Sequence, residues 1–368
     1  MVNDPRQIAV DAALAGLKDF QKATVETVYE RLFVRSQKNM LVADEVGLGK
    51  TIVAKGLIAM ALRERIRRRD AAPFKVTYVC SSQVIAGENI GKLNVFPDVD
   101  LADAVVHRIA YLAYAPRQSN NPFPSSLVLN TLTPGTSFKV SGGTGTKDER
   151  AIIYSLLCSD PKMESVRNGL ACLLRGTVQQ PIEGFRRWME GERGKTLRDG
   201  LAGSFLSSIR KRTLKLKEAP QTRGLLEVPD GDTPSIYDAT YHMASILRSN
   251  NEANHRRACN EIARILRRTL IDACLKYIDT DLFILDEFQR FRNLIDPDSD
   301  DEQAEIARRV FQNRKARILL LSATPFKAFT GDMDLSNGED HYRDFRTVLR
   351  FLTGDDTAVL KEYGNYSA

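Results

Sequence analysis

Cysteine is sparse in this 368-residue sequence: Cys80, Cys158, Cys172, Cys259 and Cys274, with no C-x-x-C pair among them. An odd, scattered set argues against a disulfide framework and a structural zinc site, and fits reduced thiols in a cytoplasmic protein. Histidine is rarer still, at four residues, and no H-E-x-x-H occurs, which excludes a zinc metalloprotease of that type. No run of about 18 apolar residues is present, so no membrane span is expected. The opening MVNDPRQIAV lacks the basic-then-apolar pattern of a signal peptide. Charge of one sign is also lacking: 53 Lys and Arg face 47 Asp and Glu, a net +6. That excess is too small to assign a nucleic-acid partner, so its distribution has to decide. The hydrophobic share of 43% and charged share of 27% are those of a globular chain with a sizeable core. The length predicts two or three domains.

Apolar periodicity predicts a helix over residues 17–33, with Leu17, Phe20, Val25, Val28, Leu32 and Phe33 on one face. Short apolar runs predict buried strands at 39–43, 75–80, 282–285 and 318–321, with a further strand within 104–113. Residues 120–145, rich in Asn, Pro, Ser, Thr and Gly, read as loop. Helical patterns fill 150–174 and 254–276, and the six acids of 296–305 read as a solvated loop. Strands alternating with helices imply a parallel α/β sheet, with sites at the carboxyl ends of its strands.

The sharpest local signal is Asp44-Glu45-Val46-Gly47-Leu48-Gly49-Lys50-Thr51, between a strand and a helix. Glycine lets backbone N–H groups curl around a phosphate chain, and the helix N-terminus favours the anion. Lys50 would reach the β- and γ-phosphates, and the Thr51 hydroxyl would hold Mg²⁺. Asp44 occupies the first glycine position of the usual G-x-x-x-x-G-K-[ST] pattern, and a plain strand-to-helix turn is the competing reading. A second glycine-rich stretch, residues 141–147, has no preceding strand and no G-K-[ST], and reads as a flexible loop. Leu282-Phe283-Ile284-Leu285 ends in Asp286-Glu287. Asp286 is suited to bind magnesium through water, and Glu287 to position and deprotonate an attacking water. A solvated acidic turn is the alternative. The layout repeats 36 residues later, where an apolar run ends in Ser322-Ala323-Thr324-Pro325. Hydroxyls there would bond the Asp286–Glu287 carboxylates and couple phosphate chemistry to movement.

In order and combination, DEVGLGKT, LDEFQ and LLLSATP resemble motifs I, II and III of superfamily 2 helicases and translocases, DEAD/DEAH-type and Swi/Snf-like branch. The resemblance covers residues 15–110 and 275–330. It implies a P-loop, RecA-like parallel sheet flanked by helices, binding ATP and Mg²⁺. It also makes Gln21, beside Phe20, similar to that family's adenine-reading element. Ser81-Ser82-Gln83 takes the place of motif Ia, a contact to the nucleic-acid backbone, and Thr133-Pro134-Gly135 faintly resembles motif Ib.

Some 236 residues separate Lys50 from Asp286, where three βα units need roughly 90. The expected organisation is therefore an N-terminal helix with the Gln21 element over 1–36 and a discontinuous ATP-binding lobe over 37–110 and 275–335. A large, mainly helical, basic insertion over 111–274 and a helical tail over 336–368 complete it. Residues 181–217 hold ten Lys or Arg against four Asp or Glu. Arg186, Arg187, Arg193, Lys195, Arg210, Lys211 and Arg212 would grip phosphates, with Phe185 and Trp188 stacking on bases. A solvated helical face around a core tryptophan is the alternative. The arginines closing the helix after the phosphate loop suit its negative end.

The expected function is that of a first motor lobe of an ATP-dependent helicase or translocase, with duplex DNA the favoured partner by analogy. An ATP-gated clamp or scaffold without its own hydrolysis is the alternative. The resemblance implies a second RecA-like lobe carrying an arginine finger, and no segment resembling that lobe's motifs follows Thr324. Weak hydrolysis by this chain alone is the corresponding expectation.

Overall fold

The computed structural model describes residues 4–44, 47–96, 108–114, 126–138, 143–176, 178, 180–214, 234–247, 252–312, 315–323 and 341–354. The chain divides into two compact units. One comprises 1–108, 117–139 and 279–368, and the other 109–116 and 140–278.

The first unit is built on a five-stranded sheet of β1 (Asn39–Ala43), β2 (Phe74–Val79), β3 (Leu127–Leu132), β4 (Leu282–Asp286) and β5 (Arg317–Ser322). Every pairing is parallel, in the order β1-β5-β4-β2-β3. β4 and β5 are apolar over Leu282–Leu285 and Ile318–Leu321 because helices cover both faces of the sheet's centre. On one face Val76, Ile284, Leu319 and Leu321 pack with α3 (Lys50–Arg68) and α4 (Gln83–Leu93). On the other, Phe283 meets Phe311 edge to face at 5.4 Å, and Phe311 meets Phe138 and Phe351. α1 (Pro5–Ala15) and α2 (Asp19–Tyr29) lie on α3. The helix expected over 17–33 is α2 continued by a wider turn at Glu30–Val34.

Two expectations fail in this unit. The strand sought within 104–113 is absent at its described end, since Ile109–Ala113 is a 3-10 turn of the second unit. The sheet's remaining strand is instead β3, inside the stretch read as loop. Among the described residues β3 pairs only with β2, so as an edge strand it tolerates Asn130 and Thr131, which blur the apolar signal. The boundary at 111 consequently moves, because 117–139 belongs with the sheet. The described part of the tail, helix His341–Thr353, lies against β1. Asn39 Nδ2 donates to Phe351 O at 2.6 Å, Arg350 pairs with Asp298, and Val348 is buried.

The second unit is helical: Lys147–Leu157, Pro161–Glu164, Arg167–Arg175, Ile182–Glu192, Leu201–Lys211, Ile236–Ile246 and Glu252–Leu275. Pro161 breaks the single helix expected over 150–174, since it has no N–H for the preceding turn. The glycine-rich stretch before Lys147 ends as a helix cap: Thr146 and Glu149 exchange side-chain and backbone bonds. Glu149 also holds Arg267 at 3.0 Å, both fully buried. Arg150, equally buried, donates to Leu174 O at 3.2 Å.

Candidate functional site

Parallel register brings the sequence motifs to one edge. Ala43 of β1 stands level with Ser322 of β5, and Leu321 with Asp286 of β4. The phosphate-loop candidate, the Ser322-Ala323 turn and the Asp286–Glu287 pair thus leave three adjacent strands at the same end. Because β5 intervenes, two sheet spacings of about 4.8 Å put the first and last of these about 10 Å apart. The Asp44 N–H donates to Ser322 O at 3.1 Å and extends the β1–β5 ladder into the loop.

Gly47 (φ 92°) and Gly49 (φ 85°) are both left-handed, which a residue with a Cβ adopts only at a cost. Gly49 caps α3 without a side chain, so the first N–H groups of a 19-residue helix face outward with its positive end. Lys50 opens α3 and its Nζ donates to Asp44 O at 3.0 Å, so the ammonium folds over the loop. Thr51 follows in the first turn, half-buried. Glu45, Val46 and Thr324 lie outside the described residues.

Gln21 is buried beside this loop but bonds protein, where an adenine edge was expected. Its Oε1 accepts from Lys18 N at 3.1 Å and its Nε2 donates to Leu48 O at 3.1 Å. One side chain therefore joins the start of α2 to the Gly47–Gly49 loop. Phe20, Leu48 and Ile52 remain exposed around it.

Asp286 is 9% exposed. Glu287 is left-handed at φ 48°, a strained state for a residue with a side chain and one that recurs at functional sites. Its carboxylate pairs with Arg290 at 2.8 Å. Ser322 is fully buried, and its hydroxyl bonds Gln289 Oε1 at 3.1 Å, not the Asp286–Glu287 carboxylates expected as its partners. The link between the second and third motifs therefore runs through Gln289, one turn further along.

Two residues that sequence reasoning passed over complete this edge. Tyr78 of β2 donates to Asp286 Oδ2 at 2.5 Å and accepts from Asn89 Nδ2 of α4 at 2.8 Å. Burial, then the Asp286 charge, hold the phenol well above its ordinary pKa. No local sequence signal marked these two residues, since the partner of Tyr78 lies 208 residues away on another strand. Nearby, burial pushes the Cys80 thiol up to about 11.

Ser81-Ser82-Gln83 lies at the end of β2. The Ser82 hydroxyl caps α4 by accepting from Val84 N at 3.2 Å, and exposed Gln83 reaches Thr136 at 3.3 Å. The motif Ia and Ib candidates are thus neighbours.

In the helical unit, much of the expected basic surface is engaged internally. Arg186 pairs with Glu183, Arg193 with Glu164 and Glu190, and Lys195 with Glu192. Arg210 pairs with Asp160 and lies 4.7 Å over the Tyr237 ring. Phe185 is buried, and half-buried Trp188 carries the Lys147 ammonium at 3.9 Å. Arg187 and Lys211 are exposed, and Arg212 is half-buried. Among the arginines after the phosphate loop, Arg67 and Arg68 pair with Glu64 of their own helix.

Among the described residues, no cluster of three or more His, Cys, Asp or Glu forms a ready-made metal cage. The hydroxyl of Thr51 and the carboxylate of Asp286 are hard oxygen donors. They match an ion that keeps most of its water and binds phosphate, as magnesium does. No family model matches the chain, and neither does any curated protein or solved structure.

Proposed function

We propose that the five-stranded unit is the RecA-like, ATP-binding lobe of a nucleic-acid-dependent ATPase of the superfamily 2 helicase and translocase type. The observation that carries this reading is the convergence of three motifs on the level ends of β1, β5 and β4. Two left-handed glycines and Lys50 stand at the N-terminus of α3 on that edge.

Bound ATP with Mg²⁺ supplies the phosphoanhydride to be cleaved and neutralises its charge. The chain's own residues then have distinct tasks. Lys50 leaves Asp44 O for the β- and γ-phosphates, while the Gly47–Gly49 backbone and the end of α3 enclose the anion. Thr51 and Asp286 would hold magnesium through their oxygens. Glu287 leaves Arg290, orients the attacking water and takes its proton. Ser322, through Gln289, relays the change to elements that grip nucleic acid. Duplex DNA is the favoured track, reached by Ser81, Ser82 and Gln83. Arg187 and Lys211 of the helical unit supply phosphate contacts. A second RecA-like lobe is the partner that supplies an opposing arginine.

ATP turnover by the purified chain, with and without duplex DNA, tests this reading beside Lys50→Ala. DNA-stimulated turnover lost in Lys50→Ala supports it. Absence of any Lys50-dependent nucleotide binding overturns it. The Glu287–Arg290 pair favours one other reading, an ATP-gated clamp that binds without hydrolysing. Glu287→Gln distinguishes the two, since it traps ATP in a motor and changes little in a clamp.

A further inference from the structure

The interior of the sheet carries a polar chain to which the proposed reaction gives no role. Lys92 Nζ donates to Asn89 Oδ1 at 3.0 Å, Asn89 Nδ2 to the Tyr78 hydroxyl at 2.8 Å, and that hydroxyl to Asp286 Oδ2 at 2.5 Å. Tyr78 is 1% exposed, in a face otherwise made of Val76, Ile284, Leu319 and Leu321. Tyr78 stands opposite Ile284 across β2 and β4, so Asp286, two residues on, shares its face.

A phenol in an apolar core needs a partner for its hydroxyl, and many do so by capping a nearby backbone carbonyl. Here the partner is the one carboxylate expected to hold the metal. Asp286 has two oxygens, and fixing Oδ2 sets the direction of Oδ1. A tyrosine hydroxyl can rotate. The Asn89 amide, by filling its acceptor side, turns the proton toward Asp286.

We infer that Tyr78 is a positioning residue that presents Asp286 Oδ1 to magnesium, and that Asn89 orients Tyr78 from α4. The inference rests on the ATP reading above and deepens it. It ties the metal-holding carboxylate to the helix that begins at Ser82-Gln83, the expected nucleic-acid contact. A shift of α4 on binding nucleic acid would thereby reach the metal site through two hydrogen bonds.

The test is a Mg²⁺ titration of the affinity for a fluorescent ATP analogue, on the full chain. Wild type is compared with Tyr78→Phe, Asn89→Ala and the double variant. Tyr78→Phe keeps the ring and removes only the hydroxyl, and Asn89 is half-buried, so its freed amide meets water. Loss of such an outer hydrogen bond raises the Mg²⁺ concentration at half-effect by about tenfold. Affinity in EDTA stays at the wild-type value. Asn89→Ala moves the same way by less, and the double variant equals Tyr78→Phe, because Asn89 acts through Tyr78.

Three results overturn the inference: a wild-type Mg²⁺ dependence in Tyr78→Phe, an equal loss of affinity with and without Mg²⁺, or full additivity in the double variant. Each of these with Lys50-dependent binding intact in wild type leaves the ATP reading standing. Wild-type chain that binds no nucleotide removes both.

Discussion

Replacing Gln21 by Ala separates two roles for a residue that joins α2 to the phosphate loop. The structure gives it two hydrogen bonds, from Lys18 N and to Leu48 O, each 3.1 Å, with the side chain buried. A net hydrogen bond contributes about 1 kcal/mol, and at the exposed residue Leu48 water can replace the lost partner. The expected cost is therefore about 1–2 kcal/mol, near the low end for two buried bonds. For a domain of this size that lowers the melting temperature by roughly 3–6 °C. The functional effect follows from position. Gln21 touches the loop backbone at Leu48, next to the left-handed Gly49, so on the proposed ATP reading its loss should loosen the loop for any nucleotide, whatever its base. Equilibrium titration with fluorescent ATP and GTP analogues should show equal weakening for both. An unchanged melting temperature refutes the brace. A loss confined to the adenine nucleotide refutes the argument from position and restores base recognition as the role of Gln21.

Other expectations are as specific. A Cβ on Gly169 would lie 1.7 Å from Ala244 O, where helices Arg167–Arg175 and Ile236–Ile246 meet backbone to backbone. Gly169→Ala should lower stability by about 3 kcal/mol or more in denaturant titration, since such overlap forces the helices apart. Ser322→Ala, which removes the bond to Gln289, should leave nucleotide affinity within about twofold and reduce stimulation of turnover by DNA. Burial, then a hydrogen bond to Glu164, pushes Cys158 up to about 12, and burial alone takes Cys274 there. Thiolate is thus scarce at those two positions, and because all five thiols are buried they should resist a thiol reagent at pH 8 until the chain is unfolded. Arg187→Glu with Lys211→Glu should flatten the salt dependence of DNA binding. Arg210→Ala, which breaks the pair with Asp160, should instead show in the melting curve.

What the sequence disclosed follows from how local each signal is. β4 and β5 could be read because central parallel strands are buried on both faces and appear as apolar runs, and β1, at an edge of the sheet, because Met40–Ala43 is itself an unbroken apolar run. β3 could not, because an edge strand with one neighbour carries Asn130 and Thr131 and is flanked by turn residues. The glycine turn before α3 could be read because a left-handed backbone demands a particular residue type at a particular place. The phosphate contacts expected of Arg186 and Arg210 rested on a charge run, and both guanidiniums are paired within the helical unit. A charge run gives composition, and only the packing shows that Glu183 and Asp160 engage those guanidiniums.

Tyr78 shows the same boundary from the other side. Nothing within KVTYVC marks its hydroxyl as different from that of any core tyrosine. Its partner lies 208 residues away, and the two meet only because β2 and β4 pair in one register, Tyr78 opposite Ile284. A slip of one residue would send the Tyr78 side chain to the opposite face from Asp286 and leave the carboxylate without this donor. The apolar residues of β2 and β4, by fixing that register, thus also fix the polar geometry at the strand ends. Val76 and Ile284 serve the site as surely as the residues that would touch the phosphates. Polar replacement of either should disturb Mg²⁺ dependence as well as stability, and a stability change without a shift in Mg²⁺ dependence would break that link.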